Sequence, residues 1–288
     1  MIVVNLKGGL GNQMFQYAFG RALAIKNNDV FKLDTSSLDQ AKQIGNIYRP
    51  FSLELFNIEK DIATSSDITV CKKPKSLLSK IVTRIQSTLH GDQSNLFKPE
   101  YLNQTGNLYL DGYFQSPRYF ENIRTVLLDE FTLTSPLLEF GAKILEQIQS
   151  SQSIAIHIRR GDYQSNPIVK KQFGLCSKDY YLKAIGRIQS EIKDSRFFVF
   201  SDDITWVKNN LNLPEGSVYV SNPELKDAEE LSLMSACQHN IIANSSFSWW
   251  AAWLNQNPNK IVIAPTPWFD TINYDQNLLP SSWTPLTK

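Results

Sequence analysis

The sequence predicts an α/β protein built from parallel sheets in two halves. In the second half, five apolar segments alternate with helical patterns, which is typical of βαβ units. The chain begins with a β-rich segment, a glycine turn and a helical pattern, which together form one more unit of this kind. The polar run 150–153 separates the halves. We therefore expect one domain over residues 1–150 and a second over residues 151–288.

Composition limits the classes of function. The chain has 288 residues, of which 42% are hydrophobic, so it can form one large domain or two ordinary ones. Its formal net charge is +1, and we expect no nucleic-acid partner because no overall field recruits one. The three cysteines lie far apart and outside any CxxC spacing, as reduced thiols do. The histidines have no metal-ligand spacing and there is no DxD pair, so we expect no metal and no cofactor.

The apolar segments predict a cytoplasmic protein. The first strand is short and lacks the basic start of a signal peptide, and no apolar run reaches the roughly 18 residues that span a membrane. From 69 to 90 there are basic but no acidic residues, with apolar positions at helical spacing. This pattern favours a helix whose basic face is solvated while its apolar face packs on the core. Weak binding to an anionic membrane is the alternative.

The first half begins with a candidate ligand-binding turn. Residues 1–6 predict a strand, and the glycine-rich turn at 8–11 precedes a helix that starts near Asn12. Glycines let a ligand approach the backbone, and a helix start offers free N–H groups. The spacing does not satisfy GxGxxG because residue 14 is methionine. Two interpretations stay open: a turn beneath a ligand, or a tight turn that serves helix packing.

Two more strands are predicted in this half, at 29–34 and 107–110. The second leads into Asp-Gly-Tyr-Phe-Gln at 111–115. Aromatic rings beside amides suit sugar recognition, although such loops also form small satellite cores. Helical patterns lie at 12–25, at 117–131 and at 137–148.

The second half is predicted to form one parallel sheet. Strands are expected near 154–159, 196–201, 217–221, 240–244 and 260–264. Between the first two, Tyr181, Ile185, Ile188 and Ile192 recur on one helical face. The carboxyl ends of such strands meet at one edge, where open α/β sheets bind ligands.

The segment 153–163, SIAIHIRRGDY, is the most informative stretch of the chain. It is a buried strand that runs into Arg159, Arg160, Gly161 and Asp162. Arginine offers a fixed fork of donors that suits phosphate and keeps its charge. Two interpretations stay open here: a phosphate-binding loop, or an arginine pair that forms a salt bridge with Asp162.

Three further polar segments follow strands of the same sheet. They are Ser-Asp-Asp at 201–203, Glu229 and Glu230 at a helix start, and Asn-Ser-Ser-Phe-Ser at 244–248. Capping and first-turn acids explain each one alone. Their convergence at one edge favours a binding site. Without a metal, a diphosphate leaving group needs cationic side chains or helix N-termini to take its charge, and this edge supplies both.

Five motifs carry a resemblance to a known family. They are GGLGNQMFQYAFGRALA at 8–24, DGYFQSPRYF at 111–120, HIRRGDY at 157–163, FSDD at 200–203 and LMSACQHNIIANSSFSWWAAWLN at 233–255. In order and spacing they resemble the bacterial α-1,2-fucosyltransferases of glycosyltransferase family 11. The resemblance covers nearly the whole chain. It implies a GT-B-like fold, in which two Rossmann-like domains face a cleft.

The resemblance also implies the reaction. We expect metal-independent transfer of L-fucose from GDP-fucose to the 2-hydroxyl of a terminal β-galactoside, with inversion at the anomeric carbon. The first domain is expected on the acceptor side, and the second is expected to bind the donor. The acceptor is expected in surface polysaccharide or glycan synthesis, where it can be lipid-linked.

The resemblance assigns roles to individual residues. Arg159 is expected to bond the β-phosphate and stabilise departing GDP, and Glu230 is expected to bind guanine, with glutamate in place of the commoner aspartate. The expected donor site comprises Gly8, Gly9, Gly11, His157, Arg159, Arg160, Asp202, Glu230, Asn244, Ser245, Ser246 and Phe247. The residues expected near fucose or the acceptor are Asn12, Gln13, Asp34, Asp111, Tyr113 and Gln115.

Alternatives stay open for the identity of the general base and for the class of function. A galactose hydroxyl must lose its proton, and Asp162 is the candidate base, with an orienting role for the arginines as its alternative. Asp34 and Asp111 are rivals. A non-catalytic sugar- or nucleotide-binding protein on the same scaffold is the alternative function, and transfer of a different sugar is a third.

Overall fold

The structure, a computed structural model, describes residues 1–38, 50–72, 96–271 and 274–288, without the side chains of residues 162, 165 and 168. The chain divides into two compact units. The N-terminal unit comprises Met1–Thr132 and Asn273–Leu278, and the C-terminal unit comprises Leu133–Ile272 and Leu279–Lys288. Most of the basic stretch at 69–90 lies outside the described residues. Within the described residues, no helix is long and apolar enough to cross a membrane.

The N-terminal unit contains a three-stranded parallel sheet of order β2-β1-β3. Its strands are β1 (Ile2–Asn5), β2 (Phe31–Asp34) and β3 (Leu108–Leu110), which confirms the three predicted strands. Its α-helices among the described residues are α1 (Leu10–Asn27), α2 (Ser65–Lys72) and α3 (Arg124–Glu130). All four residues of β1 are buried, as a central parallel strand requires.

A buried polar network fixes α1 to α3. The Tyr17 hydroxyl donates to Glu130 Oε2 at 2.7 Å, and Arg21 Nε donates to Glu130 Oε1 at 2.8 Å. Burial and the neighbouring Glu130 raise the pKa of Tyr17 well above its usual value. The Tyr17 hydroxyl therefore stays protonated and keeps its bond to the carboxylate.

The helix predicted from Pro117 to Phe131 is wrong over its first half. Two 3₁₀ turns, Pro117–Tyr119 and Glu121–Ile123, precede α3. Phe120 interrupts the pattern with φ −143° and ψ 5°. This backbone buries the Phe120 ring completely, with its centroid 5.8 Å from that of Phe15 in α1. Packing of one aromatic side chain outweighs helix continuity here.

The C-terminal unit contains a six-stranded parallel sheet of order β6-β5-β4-β7-β8-β9. Its strands are β4 (Gln152–Ile158), β5 (Ser195–Ser201), β6 (Val218–Tyr219), β7 (His239–Ile241), β8 (Val262–Thr266) and β9 (Thr284–Thr287). The first five confirm the prediction, and β9 was not predicted. Its described helices are α4 (Glu139–Gln149), α5 (Gly161–Ser165), α6 (Pro167–Phe173), α7 (Lys178–Glu191), α8 (Ile204–Asn210), α9 (Asp227–Ala236) and α10 (Ser246–Leu254).

The core of the C-terminal unit includes a helix-on-sheet layer. Ile154, Ile156 and Ile158 of β4 are buried in the same cluster as Ile185 and Ile188 of α7. The predicted apolar face of that helix is therefore confirmed. Apolar burial of this kind contributes about 25 cal/mol per Å² and holds the carboxyl end of β4 in place.

The expected domain boundary at residue 150 and the observed division at 132–133 differ by one segment. Helix α4 lies in that segment and belongs to the C-terminal unit, where it packs on β4 and α9. The polar run after α4 is thus a tight connection within the C-terminal unit.

Gly20 lies where α1 packs closely on the sheet. A Cβ at this position would overlap Val4 Cγ2 and lie 2.8 Å from Phe31. We expect Gly20→Ala to lower the free energy of unfolding by about 1–3 kcal/mol because overpacking must shift α1 or the sheet. Gly186→Ala, in α7, is the matched control, since apart from its chain neighbours and the helix's own backbone nothing lies within 4 Å of the added methyl.

Chemical denaturation measures the free energy of unfolding of both variants. The control is expected to gain about 0.5–1 kcal/mol, the usual effect of alanine over glycine within a helix. An unchanged or higher stability of Gly20→Ala would contradict the close packing of α1 on the sheet.

Candidate active site

The carboxyl ends of three neighbouring strands define the candidate site in the C-terminal unit. Strand β4 lies between β5 and β7, and Ile158 pairs with Ser201. Arg159 directly follows β4 and Asp202 directly follows β5, so the two residues lie side by side. The loop after β7 emerges on the other side of β4 and leads into α10.

One carboxylate organises the arginine loop. Asp202 Oδ2 lies 3.0 Å from Arg159 Nη1, and Asp202 Oδ1 accepts a hydrogen bond from the Arg160 backbone N–H at 2.9 Å. Both oxygens thus bind the loop, one through a side chain and one through the backbone. The structure shows Asp202 as a partner of Arg159, while the interpretation of a salt bridge with Asp162 stays a prediction because the Asp162 side chain lies outside the described part of the structure.

Arg160 is held by a different set of contacts. Its guanidinium carbon lies 3.6 Å from the centroid of the Trp206 ring, and its Nε lies 3.5 Å from Asp203 Oδ2. Asp203 also accepts from the Trp206 backbone N–H at 2.9 Å and so caps α8. The adjacent arginines therefore belong to different environments. Sequence analysis missed Trp206, although its place in the first turn after the aspartates was a usable signal.

Gly161 allows this arrangement because the Asp202 carboxylate lies against its backbone. A Cβ at Gly161 would overlap Asp202 Oδ2, the atom that pairs with Arg159. The backbone of Asp162 follows in the short helix α5, and its side chain lies outside the described part of the structure. Its role as general base stays a prediction.

His157 is a buried neutral group beneath the arginine loop. Its side chain is 4% exposed, and its ring centroid lies 5.6 Å from that of Phe247. Burial first, and the positive charge of Arg159 second, lower the pKa of His157 to about 3. The positive charge of this loop therefore comes from the arginines.

Asn244 ties the loop after β7 to its surroundings. Its Nδ2 donates to the backbone oxygen of Phe173 at 2.7 Å and to that of Trp268 at 3.2 Å. Its own backbone oxygen accepts from the Tyr163 hydroxyl at 3.1 Å. The amide of Asn244 is thus occupied by the scaffold, and the residue positions the start of α10.

The start of α10 offers backbone donors at the same sheet edge. Ser245 is the N-cap residue, and among the described residues its side chain makes no cap hydrogen bond. Ser246 and Phe247 form the first turn and are half-buried. A helix N-terminus with hydroxyls beside it favours an anion.

Glu230 belongs to a hydrogen-bond chain that ends at Ser201, the last residue of β5. Its Oε2 accepts from the Ser221 hydroxyl at 2.8 Å, and Ser221 Oγ accepts from the Ser201 backbone N–H at 3.0 Å. Burial raises the pKa of Glu230 to about 7, with smaller contributions from Asp227 and Asp202. Sequence analysis missed Ser221, which carries no motif and follows the short strand β6.

The glycine turn of the N-terminal unit is tight and locked. Gly8 has φ +78°, and Gly9 is the N-cap of α1. Gln13 is fully buried, and its amide donates to the backbone oxygens of Gly8 and Pro50 at 2.8 Å. Its oxygen accepts from the Ser52 N–H at 2.9 Å. Gln13 therefore holds two loops together.

The other predicted residues of this unit fall into two groups. Asp34 is 2% exposed and accepts from Tyr109 at 2.7 Å, so it is a poor candidate for a base that must reach a sugar. Asp111 is partly exposed and accepts from Lys7 Nζ at 2.7 Å. Lys7 Nζ also lies 5.2 Å from the centroid of the Tyr113 ring.

Asn12 and Gln115 join α1 to the loop after β3. The Gln115 Nε2 donates to Asn12 Oδ1 at 2.8 Å. This bond and the group of Lys7, Asp111 and Tyr113 follow the carboxyl ends of β1 and β3, which pair with each other. The structure thus brings together four of the six predicted acceptor-side residues near one strand pair.

Both units are α/β with parallel sheets, and comparison with solved structures places the chain among proteins of GT-B-like fold. It matches the fucosyltransferase NodZ from Bradyrhizobium with a TM-score of 0.52 at 13% identity, over 87% of this chain and 91% of that one. It also matches an Arabidopsis thaliana FUT1 mutant in complex with GDP with a TM-score of 0.50 at 13% identity, over 91% and 69% of the two chains.

Sequence comparison identifies the family. The model of glycosyl transferase family 11 matches residues 1–285, and the chain belongs to this family. The chain is 33% identical to an alpha-1,2-colitosyltransferase of Escherichia coli, over 100% of this chain and 99% of that protein. It is also 33% identical to the O-antigen biosynthesis glycosyltransferase WbnK of Escherichia coli, over 96% and 98%. A galactoside 2-alpha-L-fucosyltransferase of Mus musculus is 26% identical, over 88% and 64%.

The contact between Asp202 and Gly161 predicts the effect of a substitution at Gly161. Gly161→Ala pushes the carboxylate away from Arg159, so we expect the glycosyl transfer rate to fall about 10- to 100-fold, the range of one charged hydrogen bond. Steady-state kinetics measure the effect, with Gly186→Ala as the control. An unchanged rate in Gly161→Ala would show that the Arg159–Asp202 pair does not support transfer.

A second prediction concerns the protonation state of the His157 ring. Because burial and Arg159 lower its pKa to about 3, we expect the ring to remain neutral from about pH 5 to about pH 9. NMR spectra of ring-labelled histidine, assigned by comparison with His157→Gln, measure this directly. Titration of this ring near pH 6.5, the usual value, would contradict its burial.

Proposed function

We propose that the chain transfers L-fucose from GDP-fucose to the 2-hydroxyl of a terminal β-galactoside in surface-glycan synthesis, with inversion and without a metal ion. The family supports a glycosyltransferase. The names of two relatives support an α-1,2 linkage and O-antigen synthesis, and a structural neighbour was soaked with GDP-fucose.

The observation that carries the proposal is the arginine loop ordered by Asp202. Arg159 is positioned at the carboxyl edge of the sheet by a 3.0 Å ion pair. In the proposed reaction it binds the β-phosphate and offsets the charge that develops on departing GDP. Arg160, held on Trp206, fixes the loop beside it.

The remaining groups of this edge complete a donor site. Ser245, Ser246 and the backbone of α10 bind the diphosphate, while His157 and Phe247 line the pocket. Glu230 binds the guanine N1–H and N2–H edge with its two carboxylate oxygens, which requires the ionised form. These side chains and the helix start offset the negative charge of the diphosphate, so we propose that no divalent metal is needed.

The N-terminal unit contributes acceptor-side groups. Asp111, Tyr113 and Gln115 are proposed to contact sugar, with Asn12 beside them and the glycines of the turn giving close backbone approach. Asp162 remains the proposed base, and Asp111 is its rival because it is partly exposed. Gln13 acts through the loops that it joins.

A second candidate donor follows from one comparison. The relative named alpha-1,2-colitosyltransferase is 33% identical over the whole chain. Colitose is the 3-deoxy form of L-fucose, so a site for one differs from a site for the other by the partners of a single hydroxyl. Donor profiling separates these two transferases, and a donor that binds without any turnover would favour the non-catalytic alternative.

Acceptor-dependent GDP release tests the proposal. GDP-fucose and GDP-colitose are each assayed with and without lactose, in excess EDTA. We expect release from GDP-fucose that depends on the galactoside and persists in EDTA. Preference for GDP-colitose would change the donor, loss in EDTA would overturn metal independence, and no release with any galactoside would overturn the transferase.

Arg159 provides the mutational test. We expect Arg159→Ala to lower kcat/KM about 100- to 1,000-fold, since a group that stabilises leaving-group charge acts mainly in the transition state. Arg159→Lys is expected to recover only part of this loss because lysine lacks the planar fork of donors. Arg187→Ala, which removes an exposed arginine paired with Glu191 in α7, is the matched control. A value for Arg159→Ala equal to that control would contradict the assignment.

A further inference from the structure

Ser221 occupies a position between the Glu230 carboxylate and the loop after β5. Its hydroxyl donates to Glu230 Oε2 at 2.8 Å. Its oxygen accepts from the backbone N–H of Ser201 at 3.0 Å. Because the Ser201 N–H occupies one side of the oxygen, the hydroxyl proton is directed at Glu230. The serine therefore fixes one carboxylate oxygen in a single orientation.

We propose that Ser221 is a positioning residue that gives the donor site its preference for guanine nucleotides by orienting the Glu230 carboxylate. This inference rests on the proposed function, in which Glu230 binds the base. It adds a residue that lies outside every motif of the resemblance. Ser221 itself does not contact the nucleotide in this account.

Base chemistry explains why the orientation matters. Guanine presents two parallel N–H donors, which need two acceptor oxygens in one plane. Adenine presents an acceptor at N1, and an ionised carboxylate repels it. A carboxylate free to rotate would lose part of this discrimination, because a buried polar group selects well only when its geometry is fixed.

The same chain of bonds connects base recognition to the diphosphate loop. Ser201 is the last residue of β5, and the next residue is Asp202, which binds Arg159 and the Arg160 backbone. Ser201 Oγ accepts from the Asp203 N–H at 3.0 Å. Consecutive residues at the end of β5 thus bind Ser221, which holds Glu230, and Arg159.

Charge around Glu230 gives the proposal a pH-dependent readout. In the described part of the chain, the charged groups that act on it are Asp227 on its own helix and Asp202 after β5, and both raise its pKa. The hydrogen bond from Ser221 lowers the pKa. With burial, the pKa is about 7, so the ionised form that binds guanine is lost as pH falls through this value. Removal of the hydroxyl moves this loss to higher pH.

Three variants form the test: Ser221→Ala, the conservative Ser221→Thr, and the control Ser232→Ala. Ser232 also lies near Glu230 in sequence, but its hydroxyl donates to the Ala228 backbone oxygen within α9 at 2.8 Å. Calorimetry measures the Kd of GDP, ADP and UDP from about pH 6 to about pH 9, a range that brackets the Glu230 pKa. Donor KM and kcat are measured over the same range, and thermal unfolding checks the fold of each variant.

We expect Ser221→Ala to weaken GDP binding about tenfold at neutral pH, as loss of one hydrogen bond to a charged group does. ADP and UDP binding should not change, the pH midpoint of donor KM should move upward, and kcat should stay within about twofold. Ser221→Thr should restore GDP binding, and Ser232→Ala should match wild type.

Several results would overturn the inference. One is that Ser221→Ala weakens the binding of GDP, ADP and UDP equally. Another is that it leaves the pH midpoint of donor KM unchanged. The third is that Ser221→Thr folds but does not restore GDP binding. If the wild-type protein binds no GDP, the proposed function fails instead. If the wild type binds GDP and Ser221→Ala binds it equally well, the proposed function stands and only the role of Ser221 is lost.

Discussion

The Asp202 carboxylate holds the arginine loop at the carboxyl end of β4. Its two oxygens bind one guanidinium and one backbone N–H from the neighbouring strand end. Two like charges side by side repel each other, and here each arginine has its own acid, Asp202 for Arg159 and Asp203 for Arg160. The glycine that follows is required too, since any side chain there would displace the Asp202 carboxylate.

The rest of the C-terminal unit is arranged around this loop. The parallel sheet brings the loops after β5 and β7 to either side of β4, so acidic, basic and hydroxyl groups meet although they are far apart in sequence. His157 stays neutral beneath the loop, which leaves the arginines as its source of positive charge. Asn244 uses its amide to fix the start of α10. In this site, several of the predicted residues therefore hold neighbouring groups of the protein in place.

The sequence predicted what depends on local pattern and missed what depends on register. Buried parallel strands are apolar runs, so eight of the nine strands in the described residues were found, while the short β9, which contains Pro285, has no such pattern. The arginines were recognised, but Asp202 and Asp203, which pair with them, lie more than forty residues away, and only strand pairing brings them together. Ser221 was missed because a single serine carries no spacing, whereas Trp206 was overlooked although it stands in the first turn after the two aspartates. The burial of Phe120 could not be foreseen, so the helix at 117–131 was overextended.

A crystal structure of the wild-type protein with GDP would show where each part of the nucleotide binds. We expect the diphosphate within hydrogen-bond distance of Arg159 and the N-terminus of α10, with the guanine edge on Glu230 and Ser221 still bonded to that carboxylate. A diphosphate bound elsewhere on the C-terminal unit, or a guanine held by groups other than Glu230, would contradict this expectation.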